Sequence, residues 1–467
     1  MGTDFFEREH DLIIVGGTVI DPKTELITVG DVVVDGGKIS GVTRVPLKAR
    51  RKIDASGLIV CPGFVDPHSH ADGQLFSAHV MASMGVTTIV VGSCGLGPYP
   101  AESFLKRLDK EGYPLNNAAL SPVSWTLREK VGITDPYAVA TDKEIAQMVE
   151  LIEEDFHNGA VGVSLGLEYA PKTSWAEMEA VAKVAAKYDK VVPIHSRAGG
   201  WSGIEATREM IRLQEMTGAR ILISHHVYQC GQGMLEESLK TIEKARRQGY
   251  DIAVDSGAYA DFACPIGSEV FCEGWRDIYD CDYRDILVGG GEYAGQRMTE
   301  ELFNKLRKED PDLSVTAFVG KEYEIGLTLN EPYTMISTDG GFNNLEPGKG
   351  HPQSAGTYPK IMAQLVREQN ILTWMEFVKK SSWMPAQLFG FKDKGWIGEG
   401  ADADITVFNP KTVKDKAAFA GYGDPMAAPE GIEHVFIHGE SVVEDGAVIK
   451  DARPGKSIFS EADYWRL

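Results

Sequence analysis

Short apolar runs alternate with longer amphipathic stretches through the middle of the chain. The runs are rich in β-branched residues, which is typical of buried strands, and apolar residues recur every three or four positions between them, which is typical of helices. The predicted strands cover residues 63–66, 87–91, 118–123, 159–164, 191–194, 220–224, 251–254 and 333–337. The clearest predicted helices cover residues 143–156, 175–188, 204–217 and 235–248. Eight strands with intervening helices predict an α/β fold, a distorted TIM (β/α)8 barrel.

Both ends of the chain show a different pattern, in which short β-branched runs are closed by glycine turns. Gly16–Gly17 and Gly36–Gly37 separate such runs near the start, and similar runs return after residue 402. Adjacent glycines between β-branched runs are typical of hairpins. We therefore predict a small β-sandwich built from both termini, 1–61 and 391–467, beside a barrel domain at 62–390.

The interval between the seventh and eighth predicted strands, residues 258–332, is too long for a simple connection. A barrel needs only about 250 residues, so a chain of this length has room for an added unit. We expect this insertion to form a lid or subdomain over the site.

Composition limits the partners. The formal net charge of −21 argues against nucleic acid or an anionic membrane, since both repel an acidic surface. No apolar run reaches the length of a membrane span, and residues 1–11 lack the apolar core of a secretory signal. The six cysteines form no CxxC pair, which is typical of reduced thiols. We expect a cytoplasmic protein acting on a small molecule, and a homo-oligomer is compatible with the sequence.

The first predicted barrel strand runs directly into His68-Ser69-His70. Residues two apart in an extended chain project to the same side, so both imidazoles can reach one metal ion. Two loop histidines can also be ordinary polar surface. Their place at the carboxyl end of a barrel strand, where barrel enzymes hold their active sites, favours metal ligation.

Other residues that can bind a metal ion also lie at the carboxyl ends of predicted strands. The second predicted strand ends close to Cys94, the fifth at His195, the sixth at His225 and the eighth at Asp339. Scattered core histidines would have no reason to respect the carboxyl ends of the strands. The sequence therefore predicts one site at the mouth of the barrel.

Several motifs in combination resemble the amidohydrolase superfamily. They are the opening Gly-Gly-Thr-Val-Ile-Asp, the segment Pro-Gly-Phe-Val-Asp-Pro-His-Ser-His and the closing Gly-Glu-Gly-Ala-Asp-Ala-Asp-Ile-Thr-Val-Phe. Gly-Ser-Cys-Gly, Gly-Leu-Glu-Tyr, Ser-His-His, His-Pro-Gln and Gly-Thr-Tyr-Pro are similar to its D-aminoacylase (N-acyl-D-amino-acid deacylase) branch. The similarity spans essentially the whole chain.

This resemblance implies a zinc enzyme that binds one or two divalent metal ions. Cys94 matches the position that a carboxylated lysine holds in many relatives, and His195 and His225 match the histidines that complete the tighter site. His68 and His70 match a weaker site. The implied set fits zinc, because a thiolate is a soft donor and three N/S ligands leave one position open for water.

Asp339 matches the catalytic aspartate of the same branch. The implied reaction is hydrolysis of an amide C–N bond in a small molecule, most like deacylation of an N-acyl-D-amino acid, with Asp339 carrying the proton. One alternative is a cyclic amide hydrolase of the hydantoinase or dihydroorotase type. Another is a non-catalytic scaffold, although such a scaffold would be expected to lose metal ligands.

Two positions depart from the D-aminoacylase pattern, which has lysine after Ser-His-His and arginine after His-Pro. Here these positions hold Val227 and Gln353, which cannot make charge-assisted hydrogen bonds to a substrate carboxylate. Arg197 is a candidate replacement, and Tyr169, Tyr259 and Gln353 complete the predicted substrate-binding set. The substrate class therefore stays open, and a cyclic or other neutral amide is a serious rival.

Three neighbouring residues carry weaker expectations. His226 projects away from His225 in an extended strand, so we expect it to pack or to support a ligand. Glu168 can contact substrate or be a solvated carboxylate. Lys172 lies past the fourth strand in a loop, where a carboxylated bridging role is the weaker alternative.

Overall fold

The computed structural model describes residues 3–341 and 348–459, and its middle region contains two adjoining parallel sheets. The first sheet has the order Phe64–Asp66, Val86–Val91, Asn116–Ala119. The second has the order Thr334–Ile336, Ile252–Ser256, Arg220–Ile223, Val191–His195, Val163–Gly166, Ser121–Pro122. Only Leu120 separates Asn116–Ala119 from Ser121–Pro122, so these segments act as one barrel strand that links the two sheets.

The first and last barrel strands are connected just past their carboxyl ends. The amide of Asp339 donates to the carbonyl of His68 at 3.0 Å, and the amide of His70 donates to the carbonyl of Gly340 at 2.8 Å. Every predicted strand overlaps an observed one, which confirms the barrel-like α/β fold. The fourth strand lies furthest from its prediction, at Val163–Gly166 instead of 159–164.

The four clearest predicted helices are found within one residue of their predicted ends. They are Asp142–His157, Trp175–Lys187, Gly203–Thr217 and Leu235–Arg247. The other α-helices are Thr3–Glu7, Leu75–Ser83, Ala101–Glu111, Arg128–Lys130, His226–Cys230, Trp275–Tyr279, Glu300–Glu309, Glu322–Asn330, Gln353–Ile361, Trp374–Val378 and Met384–Leu388. Within residues 3–341 and 348–459, none of the helices combines the length and apolarity needed to cross a bilayer.

Both ends of the chain combine in one β unit, as predicted from their turn patterns. Its nine strands form one continuous sheet. Eight of them lie in the order Ala447–Val448, Glu440–Glu444, Ile432–Ile437, Ile405–Phe408, Ile59–Pro62, Glu9–Asp21, Leu26–Asp35, Lys38–Thr43. The ninth, Lys48–Asp54, pairs with Glu9–Asp21. Buried apolar side chains from both termini, among them Ile14, Val34 and Phe436, share one core. Strands from the two ends of the chain therefore pack around a common core.

The predicted insertion contains a small antiparallel sheet of its own. The strand order is Phe262–Pro265, Ser314–Ala317, Ile286–Val288, with the helices Trp275–Tyr279 and Glu300–Glu309 in the connections. Phe262, Cys264 and Tyr279 from this segment line a pocket together with residues from the barrel mouth. The insertion therefore covers part of the mouth.

A buried ion-pair network ties the β unit to the barrel. Lys394 Nζ lies 2.6 Å from Asp404 Oδ2 and 2.9 Å from Asp402 Oδ2, and the Lys394 side chain is only 8% exposed. Asp404 also accepts a hydrogen bond from Asn116 Nδ2, on the third barrel strand, at 2.9 Å. Removing the ammonium group would leave the buried Asp404 without its cation and would leave Asp402 paired with the more exposed Lys38.

We expect Lys394→Met to lower the free energy of unfolding by about 3 kcal/mol, the scale for one lost partner of a buried pair. Lys38→Met is the matched control: Lys38 also pairs with Asp402, at 2.8 Å, but its side chain is 44% exposed. That change should cost at most about 1 kcal/mol, as for surface pairs. Urea unfolding midpoints of the two variants test this, and equal shifts would contradict it.

Candidate metal centre

Three histidines that end or follow three barrel strands converge on the thiol of Cys94, which follows a fourth strand. Cys94 Sγ lies 3.3 Å from His68 Nε2, 3.6 Å from His195 Nδ1 and 3.6 Å from His225 Nε2. All four residues are buried. Parallel barrel strands bring their carboxyl ends to one face, which explains why residues so distant in sequence meet here.

The donor atoms form two overlapping groups. One contains His68, His70, Cys94 and Asp339, the other contains Cys94, His195 and His225, and within each group the atoms lie within 4.8 Å of one another. Asp339 Oδ1 lies 3.3 Å from Nε2 of His68 and 3.3 Å from Nε2 of His70. The arrangement could hold two metal ions that share the Cys94 sulfur.

Three of these residues have backbone torsions that non-glycine residues rarely adopt. The φ angles are 55° at Cys94, 33° at His225 and 49° at Asp339. Such conformations cost on the order of 1–3 kcal/mol each and cluster at functional sites, where the surrounding fold holds them. Gly166 helps, because a Cβ there would lie 2.0 Å from the Cys94 carbonyl oxygen.

The electrostatics of the cluster favour a bound cation. Burial alone would raise the pKa of the Cys94 thiol, but His68 and His195 hold it well below its usual value. Burial acts in the same way on Asp339, whose pKa is held well below its usual value by His225 and by hydrogen bonds from His68 and His70. A buried thiolate and carboxylate among imidazoles is a donor set that fits zinc.

The second nitrogen of His195 has its own partners. His195 Nε2 lies 2.9 Å from Glu168 Oε2 and 3.1 Å from Gln229 Nε2. Glu168 also accepts a hydrogen bond from the Tyr279 hydroxyl, which the insertion supplies. A carboxylate on the far nitrogen of a metal-binding histidine fixes the ring and its tautomer.

Asp255 supports the other side of the cluster. It is the penultimate residue of the seventh barrel strand and is fully buried, and its Oδ2 lies 3.5 Å from His68 Nδ1. Its Oδ1 accepts from the His225 amide at 2.8 Å and from the Ser337 hydroxyl at 2.6 Å. One carboxylate therefore contacts two of the candidate ligands.

A pocket opens beside the cluster. Its barrel side carries His195, His225 and Asp339, and its other walls are largely aromatic. The remaining lining residues are Glu168, Tyr169, Tyr228, Gln229, Phe262, Ala263, Cys264, Val270 and Tyr279. Two candidate metal ligands and Asp339 therefore share one opening with these side chains.

The sequence profile of the amidohydrolase family matches residues 59–253 and 326–442. These segments make up more than half of the chain. They contain all six residues of the two donor groups, which are His68, His70, Cys94, His195, His225 and Asp339. The chain belongs to the amidohydrolase family. The unmatched interval coincides with most of the insertion.

Relatives of this amidohydrolase cover nearly all of its length. N-acyl-D-glutamate deacylase from Alcaligenes xylosoxydans xylosoxydans is 29% identical, over 98% of both chains, and D-aminoacylase from the same organism is 29% identical over 94% of this chain and 96% of its own. A solved structure is also similar: the crystal structure of N-acyl-D-glutamate deacylase from Bordetella bronchiseptica, complexed with zinc and a phosphonate mimic of the tetrahedral intermediate. It superimposes with a TM-score of 0.86 at 27% identity, and the match covers 97% of this chain and 100% of that chain. A dihydroorotase from Streptococcus pneumoniae is more distant, at 24% identity over 86% of this chain and 90% of its own.

The structure places two of the four predicted substrate-binding residues beside members of the donor groups. Tyr169 lines the pocket, and its ring centroid lies 4.6 Å from that of His195. Gln353 is fully buried behind Asp339, donating Nε2–H to the Asp339 carbonyl and accepting from the Tyr228 hydroxyl at 2.8 Å. In this amidohydrolase Gln353 therefore positions Asp339 and Tyr228, and both ends of its amide are used.

The other two predicted residues lie elsewhere. Arg197 follows His195 but turns outward, because its guanidinium binds Glu209 at 3.0 Å and the Pro171 carbonyl at 2.7 Å. Tyr259 is buried away from the pocket lining, with its ring against His351 and under the Lys360 ammonium. Neither residue lines the pocket in the described structure.

The weaker expectations resolve in different ways. His226 Nε2 pairs with Ser238 at 2.9 Å, away from the cluster, as expected from its position beside His225. Lys172 is exposed and forms no part of either donor group. Glu168 is neither solvated nor a metal-cluster member, since it supports His195.

Sequence reasoning missed the supporting roles of four residues, Glu168, Gln229, Asp255 and Tyr279. For Asp255 a signal existed: it is a carboxylate directly after the apolar run of a predicted barrel strand. Gln229 and Tyr279 come from a short helix after the sixth strand and from the insertion, where no local pattern indicates a partner.

We expect Glu168→Gln to weaken metal binding by about 10–100-fold, the usual effect of removing a carboxylate that supports a metal-binding histidine. Competition with a chromophoric chelator measures the affinity. Glu209→Gln is the matched control, because Glu209 is paired with Arg197 outside the pocket. Equal zinc affinity in Glu168→Gln and the unchanged protein would contradict the supporting role.

Proposed function

We propose that this protein hydrolyses the amide C–N bond of a small N-acylated amine, with N-acyl-D-amino acids as the nominal class. The observation that carries the proposal is the convergence of Cys94, His68, His195 and His225 within hydrogen-bonding distances, beside Asp339 and a pocket. The named activities of the full-length deacylase relatives support it.

The proposed ligands divide into two positions. Cys94, His195 and His225 would hold one zinc ion, and His68 and His70 would hold a second ion that shares Cys94. Bound zinc supplies a water of lowered pKa, about 7 instead of 15.7, and polarises the scissile carbonyl. Asp339 is not one of these proposed ligands, so its carboxylate is available to accept and donate a proton.

Asp339 acts as the proton carrier in this proposal. Its carboxylate accepts one proton from the attacking water, whose oxygen bonds to the carbonyl carbon. The same group then delivers that proton to the amide nitrogen as the C–N bond breaks, so the products are a carboxylate and an amine. Gln353 holds the Asp339 backbone, and Tyr169 contacts the substrate beside His195.

Hydrolysis assays with the zinc-loaded protein test this function. The panel contains N-acetyl-D-amino acids, N-acetylated amines, hydantoin and dihydroorotate, with products identified by chromatography. We expect acetate and free amine. Ring opening alone would favour the cyclic alternative, which the more distant dihydroorotase match supports less well, and a metal-loaded protein inert towards the whole panel would favour the scaffold.

The location and assembly belong to the same proposal. We propose a cytoplasmic enzyme, supported by the six cysteines, all of which are free thiols. A homo-oligomer is compatible with it, and gel filtration with light scattering measures that state.

A further inference from the structure

Apart from the candidate metal ligands His195 and His225, the pocket lining offers a substrate no cationic side chain among the described residues. Its charged lining residues besides the histidines are Glu168 and Asp339, both carboxylates, and its lining contains no lysine or arginine among the described residues. Residues 342–347, which lie outside the described residues, have the sequence Phe-Asn-Asn-Leu-Glu-Pro, without lysine or arginine. The one arginine beside a cluster ligand, Arg197, is paired with Glu209.

The neutral hydrogen-bond donors of the pocket are also largely committed. The Tyr279 hydroxyl and Gln229 Nε2 both donate to Glu168, and the Tyr228 hydroxyl donates to Gln353. A carboxylate in this space would lose its hydration, would meet no lysine or arginine among the described lining residues, and would face the charge of Glu168. The aromatic walls suit an apolar substituent instead.

We propose that the substrate carries an uncharged group where an acyl amino acid carries its carboxylate, so that the preferred class is a neutral N-acyl amine or N-acyl amino-acid amide with an apolar side chain. This inference rests on the proposed function, of which it specifies the substrate class. The aromatic and aliphatic wall formed by Tyr169, Phe262 and Val270 receives the side chain.

Matched pairs test the inference on the zinc-loaded enzyme: N-acetyl-D-phenylalanine against N-acetyl-D-phenylalaninamide, and N-acetyl-D-leucine against N-acetyl-D-leucinamide. Acetate release gives kcat/KM, and calorimetry gives Kd. We expect the amide of each pair to be favoured by at least about tenfold, the value of roughly one charge-assisted hydrogen bond that the acid fails to make. Equal or better use of the acids overturns the inference, as does failure of the enzyme to bind either amide.

Two variants test which residue sets the preference for the amide over the acid. Glu168→Gln should bring the acid-to-amide ratio closer to one, and the ratio is the quantity compared because Glu168 also supports His195. Arg197→Gln should leave the ratio unchanged. A selective loss of the acids in Arg197→Gln would show that Arg197 holds a carboxylate and would overturn the inference. Tighter binding of the amides without acetate release would sustain the inference and contradict the proposed function.

Discussion

Cys94→Ala is expected to lose metal at both positions and to lower turnover by on the order of 10³-fold or more, since water without metal activation returns to a pKa near 15.7. The reason is geometric: Cys94 belongs to both donor groups, whereas each histidine belongs to one. Metal analysis and acetate release on the same preparation measure the two effects together.

Cys61→Ala is the control for Cys94→Ala. Cys61 is an equally buried thiol in the β unit, and its Sγ–H donates to the Thr406 carbonyl at 3.6 Å, away from the cluster. We expect this variant to keep its metal and its turnover. If Cys94→Ala retained metal and turnover like Cys61→Ala, the shared-sulfur arrangement would be wrong.

Asp339→Asn is expected to lower kcat by about 10²–10⁴-fold, the range for a lost general acid–base group. Asparagine keeps the shape of the side chain but cannot take up the proton. Because Cys94, His195 and His225 are untouched, zinc at that position should remain, which separates a failure of proton transfer from a failure of metal binding.

Asp155→Asn controls for the loss of a buried carboxylate elsewhere. Asp155 accepts from the Ala101 amide at 2.8 Å and belongs to neither donor group. Its replacement should affect stability more than kcat. Full turnover in Asp339→Asn, with metal bound, would remove Asp339 from the proposed mechanism.

The sequence predicted the strands and the candidate ligands because both depend on local patterns. Each apolar run forms a barrel strand, and His195 ends one of them. Cys94, His225 and Asp339 follow within three residues of such strands. Parallel strands in a barrel then place these ends on one face, so their convergence needed no knowledge of side-chain contacts.

The supporting contacts could not be predicted in the same way. Glu168 meets Tyr279 only because the insertion folds over the mouth, and Arg197 leaves the site because Glu209 lies two turns along the following helix. The position of Arg197 two residues after His195 suggested that its side chain faces the site, but the side chain faces away from the pocket. The roles of the site residues and the domain limits at 1–61, 62–390 and 391–467 stay predictions.

Gln353 illustrates the limit of motif comparison. Its place after His-Pro indicated a substrate contact, but its amide connects the Asp339 backbone to Tyr228 inside the protein. A residue type says what a side chain can bind, and the tertiary fold decides which partner it meets. For the same reason, the residues that line the pocket indicate the substrate better than the His-Pro-Gln motif does.

Zinc titration of the metal-free protein, with acetate release measured at each addition, tests the central claim that this cluster is a hydrolytic metal centre. We predict no turnover before zinc is added and a rise to full turnover as about one equivalent binds per chain. Turnover that is already complete in the metal-free protein, and unchanged as zinc binds, would contradict the claim.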